Sequence, residues 1–126
     1  MKAALLLLAC GAANAQVIEC PPAFPLEPTA LVGDSRAIAG RRWLNNGTVV
    51  LGNLGGNTEM YGDRKNVKSG VDVRYGLGAS EQKWFVCQYG RDGAIGSWRP
   101  IDAKATRCKM QLRTRGDVTT VRADCK

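Results

Sequence analysis

The last twenty residues, "RCKMQLRTRGDVTTVRADCK" (107–126), leave the chain few ways to fold. In 107–113 Arg107, Lys109, Gln111 and Arg113 alternate with Cys108, Met110 and Leu112. In 120–125 Thr120, Arg122 and Asp124 alternate with Val121, Ala123 and Cys125. A period of two marks strands with one buried face. Gly116-Asp117 between them suits a two-residue, glycine-first turn of type II′. That turn sets Leu112 opposite Val121, Met110 opposite Ala123 and Cys108 opposite Cys125. Turn chemistry, side-chain faces and cysteine spacing agree on one register, so a disulfide-closed hairpin is predicted. A bond across so short a loop contributes roughly 3 kcal/mol or less. Its role is to fasten an edge, and no CxxC pair suggests thiol exchange.

The opposite end sets the compartment. "MKAALLLLACGAANA" has a basic Lys2, an apolar run and the small-x-small triplet Ala13-Asn14-Ala15, the three parts of a secretory signal peptide cleaved after Ala15. The apolar run is shorter than the about 20 residues of a membrane-crossing helix. A rival lipoprotein reading of "LLAC" at Cys10 would need an unusually short leader, so soluble export without a membrane anchor is expected. Residues 16–126 then form a single domain, long enough for its own core. Cys10 leaves with the leader. Cys20, Cys87, Cys108 and Cys125 remain, an even set that predicts two disulfides in an oxidising periplasm. With Cys108–Cys125 taken by the hairpin, Cys20–Cys87 follows by elimination.

Composition narrows the chemistry. The chain has no histidine, which removes the usual general base and the commonest metal ligand. Imidazole-dependent triads and His-containing zinc sites go with it. Eleven acidic residues would permit a two-carboxylate hydrolase, but none lies in a recognisable motif. An enzyme is not expected, nor any cofactor. A net charge of +7 favours acidic partners, whether protein, polymer or surface, and also serves plain solubility. Nucleic acid is not an expected partner, because the tryptophans and tyrosines fall mostly at strand positions rather than beside basic residues.

Along the chain, proline-rich "ECPPAFPLEP" (19–28) should be extended and irregular. The segment 29–47 is the only one with helical character. From residue 48 strands take over: "TVVLG", the alternating "VDVRYGL" (71–77), "KWFVCQY" (83–89) with apolar residues on both faces, and "SWRPID" (97–102), where Pro100 predicts an edge or a bulge. "GNLGGN" (52–57) lacks the GK[ST] ending of a phosphate loop and reads as a turn. The expected fold is mainly β, an antiparallel small sandwich or open barrel with two disulfides.

Trp84-x-x-Cys87-x-Tyr89, followed by Arg99-Pro100 and Cys108, and Cys20-Pro21 upstream, resemble a family of small exported bacterial proteins. These are the periplasmic immunity proteins paired with peptidoglycan amidases of type VI secretion, especially the third amidase family. The resemblance covers mainly 82–108. It implies an inhibitor that blocks an NlpC/P60-type cysteine amidase, with dimers and two-plus-two complexes. It carries over no contact residues. The alternatives are a basic periplasmic module for an anionic polymer or peptidoglycan, and an inhibitor of another cell-wall hydrolase.

The contact surface is inferred from topology. If 71–77, 83–89, 97–102, 106–113 and 118–125 form one up-and-down meander, loops 62–70, 90–96 and 113–118 share an end. That end would carry Arg64, Lys65, Lys68, Arg91, Asp92, Arg113 and Arg115 as partner-binding residues. The second candidate is the solvent face of the C-terminal hairpin, with Arg107, Lys109, Arg113, Arg122 and Lys126 against Asp124. Cations there equally serve to protect an edge.

Overall fold

The computed structural model describes residues 15–24, 43–53, 58–78, 82–91, 93 and 95–126. Among them are nine strands: β1 Gln16–Glu19, β2 Leu44–Leu51, β3 Thr58–Glu59, β4 Asp63–Val67, β5 Gly70–Gly76, β6 Lys83–Tyr89, β7 Ile95–Pro100, β8 Arg107–Arg115 and β9 Val118–Cys125. A five-stranded sheet has the order β1-β9-β8-β5-β4, and a four-stranded sheet the order β3-β2-β6-β7. The small sandwich is therefore the fold.

The C-terminal hairpin has the expected register. Cys108 pairs with Cys125, Met110 with Ala123, and Leu112 with Val121. Gly116 takes φ 58°, the left-handed conformation that a glycine-first hairpin turn requires. Both disulfides join the expected partners, Cys20–Cys87 and Cys108–Cys125.

Between the sheets, Phe85, Val49, Met110, Val121 and Ala123 are buried. Each large apolar side chain removed from water here contributes about 1.5–3 kcal/mol. Gly47 fixes how closely the sheets approach. A Cβ there would stand 2.7 Å from Phe85, 2.9 Å from Val121 and 3.0 Å from Met110, so the layers close over a missing side chain. Lys83, 1% exposed, is the polar exception. Its ammonium donates to the carbonyls of Gly78 (2.6 Å), Ala103 (3.0 Å) and Ala105 (2.5 Å), which uses all three of its donors. Those carbonyls belong to the β5–β6 and β7–β8 connections, two of those that cross between sheets, so one buried cation ties both of them.

Three expectations need correction. The strands do not form one meander: β5 pairs with β4 on one edge and β8 on the other, which leaves β6 no edge to join. The chain therefore crosses after Leu77 and starts a second sheet. The segment 62–70 is not a loop, because Asp63–Val67 is a strand closed onto β5 through Lys68 and Ser69. The helical reading of 29–47 fails where it can be compared, since Leu44 begins a strand; 29–42, and 54–57 of the turn proposed at 52–57, lie outside the described residues. Pro100 does end the edge strand β7, as its missing N–H predicts.

Candidate partner interface

Strand alternation distributes the cations before any contact is considered. On β4, Arg64 pairs with inward-facing Val73, whereas Lys65 pairs with outward-facing Asp72. Opposed residues share a face, so these two cations serve opposite sides of the edge strand. Lys68 sits in the β4–β5 turn, and Arg113 and Arg115 end β8. Arg91 follows β6 on the other sheet, where its carbonyl and that of Gly90 accept from the Asn45 side chain, each at 3.0 Å. Asp92 lies outside the described residues.

The outer face of the five-stranded sheet is more balanced than its hairpin suggests. One row across all five strands reads Lys65, Asp72, Gln111, Arg122, Glu19; the next reads Asp63, Arg74, Lys109, Asp124, Val17. Asp72 stands 2.7 Å from Arg113 and 3.9 Å from Lys109. Arg122 stands 3.6 Å from Glu19 and 3.4 Å from Asp124. Exposed pairs such as those of Arg122 add little stability. They do cancel the positive field of the face, because β5 and β1 supply acids that the hairpin alone lacks.

At the tips the cations Lys68 and Arg115 outnumber the one acid of the two turns, Asp117. The β4–β5 and β8–β9 turns lie side by side: the Thr114 amide donates to the Ser69 carbonyl at 2.8 Å, and Gly70 pairs with Arg113. Gly70 permits this approach, because a Cβ there would overlap the Leu112 carbonyl. Between the tips lies a groove of about 560 Å³ lined by Lys68, Ser69, Arg113, Arg115, Val118 and Thr120. Arg113 is fixed by Asp72 and by the Leu112 carbonyl at 2.8 Å. Among the described residues Lys68 and Arg115 make no ion pair. Three of the seven inferred contact residues thus meet in one place.

The four-stranded sheet has a different exterior. Trp84, Val86, Trp98 and Pro100 share its outer face; the indoles meet edge to face at 6.2 Å, and Val86 is only 4% exposed. Sequence reasoning saw that β6 was apolar on both faces without placing this surface. The motif that carries the family resemblance is explained here as a clamp. Cys87 is bonded to Cys20, and the Tyr89 hydroxyl donates to the Pro21 carbonyl at 2.9 Å while Phe24 packs edge-on against its ring at 5.5 Å. Burial raises the pKa of Tyr89 and of Tyr75, the latter despite a hydrogen bond with Thr48 that opposes the shift. Among the described residues no group of three His, Cys, Asp or Glu is placed to hold a metal ion. No helix among them is long and apolar enough to cross a membrane.

These features define a disulfide-braced β domain of two packed sheets. The family model for the type VI secretion system Tli immunity protein matches residues 39–126, from before β2 to the last residue, and the chain belongs to that family. No curated protein and no solved structure matches the chain.

Proposed function

We propose that the chain acts in the periplasm as a stoichiometric inhibitor without turnover of its own, and that it neutralises an NlpC/P60-type peptidoglycan amidase delivered by type VI secretion. The observation that carries the reading is the family match over 39–126, since an immunity protein works by binding its cognate effector. Export is supported by the leader-like first fifteen residues and by two disulfides, which form in oxidising compartments. The amidase as target rests on the Trp84-x-x-Cys87-x-Tyr89 and Cys20-Pro21 resemblance, and these residues are the clamp rather than a contact surface. The contact residues proposed are Arg64, Lys65, Lys68, Arg91, Asp92, Arg113 and Arg115. A polyanion-binding module fits less well, because Asp72, Glu19 and Asp124 interrupt the cations that a polymer would follow.

The mature chain, mixed with the amidase encoded beside it, should form a complex that survives gel filtration and stops peptidoglycan digestion at one equivalent. Light scattering on the same peak separates a one-to-one complex from the two-plus-two assembly expected from a dimeric inhibitor. If the chain instead silences a co-delivered phospholipase or nuclease and leaves the amidase active, the amidase assignment is wrong while the family stands.

A further inference from the structure

We infer that the groove between the two hairpin tips is the anchor point for an acidic segment of the effector, one that presents a carboxylate beside an apolar side chain. This rests on the immunity reading above and names the chemistry of its contact.

Three observations converge on the groove. The first is its rigidity. Ser69 holds φ 63°, a left-handed conformation uncommon outside glycine, and its carbonyl is bound by the Thr114 amide. Gly70 is pressed against the Leu112 carbonyl, so the two turns cannot separate without breaking the pairing of β5 with β8. A preformed site loses less entropy when its partner docks. The second is charge. Lys68 and Arg115 lack ion partners among the described residues, whereas the cations Lys109, Arg113 and Arg122 on the adjoining face are matched by Asp72, Glu19 and Asp124. The third is the lining. Val118 is 56% exposed at the turn, next to those cations. A carboxylate held by Lys68 and Arg115 brings its neighbour onto Val118. A space of about 560 Å³ falls within the about 300–1,000 Å³ of pockets that hold a compact ligand, so it takes a few side chains rather than a whole domain face.

The test compares the two ends of the five-stranded sheet by titration calorimetry against the catalytically silenced effector encoded beside this chain. Lys68→Glu with Arg115→Glu reverses the groove. Arg107→Glu with Lys126→Glu reverses as much charge at the far end. Val118→Trp fills the groove without changing charge. The groove reversal should weaken binding by about 100-fold or more, the far-end reversal by less than about 3-fold, and Val118→Trp by at least about 10-fold. All variants should keep the circular dichroism of the parent, because these side chains are solvent-facing. If both groove variants bind within about 3-fold of the parent, the groove is not the anchor although the chain is still an inhibitor. If groove and far-end reversals weaken binding equally, only diffuse attraction is at work and the inference is overturned. If the parent binds no effector at all, the immunity reading fails first and takes this inference with it.

Discussion

Neighbouring and distant strand pairs are secured in opposite ways. β4–β5 and β8–β9 in one sheet, and β2–β3 and β6–β7 in the other, join strands that follow each other in sequence. β2 must find β6, β5 must find β8 and β1 must find β9 across long intervening stretches. The disulfides follow the same division. Cys108–Cys125 spans 17 residues inside a hairpin, and Cys20–Cys87 spans 67 residues and fastens the N-terminal segment to the other sheet. Local pairing defines itself; distant pairing is where covalent and buried polar ties do most to select the fold.

That difference yields a ranking of losses. Cys20→Ala with Cys87→Ala should cost about 4 kcal/mol and Cys108→Ala with Cys125→Ala about 3 kcal/mol, since longer closed loops restrict the unfolded chain more. Urea unfolding of the two double variants measures both. A larger loss from the hairpin bond would break the comparison, and would place the harder step of assembly inside the hairpin.

Lys83→Met sharpens it at a single residue. The substitution roughly keeps the length of the side chain but strips three carbonyls of their charged donor at the β5–β6 and β7–β8 crossings. A loss of about 3 kcal/mol is expected, because hydrogen bonds to a charged group contribute about 1.5–3 kcal/mol each and the methionine recovers part by packing. An unchanged urea midpoint would mean that the crossings hold without it.

The smallest effect is alkaline. Burial raises the pKa of Tyr75 and Tyr89 in the folded chain above the unfolded value near 10. The folded state therefore holds these protons more tightly. Their contribution is complete below about pH 10 and is lost as pH rises from there through the folded values. Unfolding midpoints should be level from about pH 8 to 9.5 and fall above it, and Tyr75→Phe should flatten part of the fall. A fall that begins near neutrality would assign the loss to other groups.

Legibility in the sequence follows the same line. The C-terminal hairpin was readable to the residue because Gly116-Asp117, the alternating faces and the cysteines independently demand one register. The division into two sheets was not, since alternation reports which face of a strand is buried but not which edge meets which. β4 was hidden for a physical reason. Its inward positions, Arg64 opposite Val73 and Asn66 opposite Val71, are exposed at the sheet edge, so "DRKNV" carries no apolar alternation to read. In the candidate site, Lys68 was grouped with Arg113 and Arg115 through a single meander that the molecule does not form; they meet because β5, which follows the Lys68 turn, pairs with β8. The cancelling of the hairpin's charge by Asp72 and Glu19 was not legible, because it depends on the partners of β8 and β9.

The most direct test of the central claim uses competing cells. A strain that delivers the effector is deleted for this chain and given back one of two copies, the full sequence or a version starting at Gln16 that stays in the cytoplasm. The account predicts that the deletion strain is killed by its parent, that the full sequence restores survival, and that the leaderless copy does not. Survival of the deletion strain without either copy would contradict it.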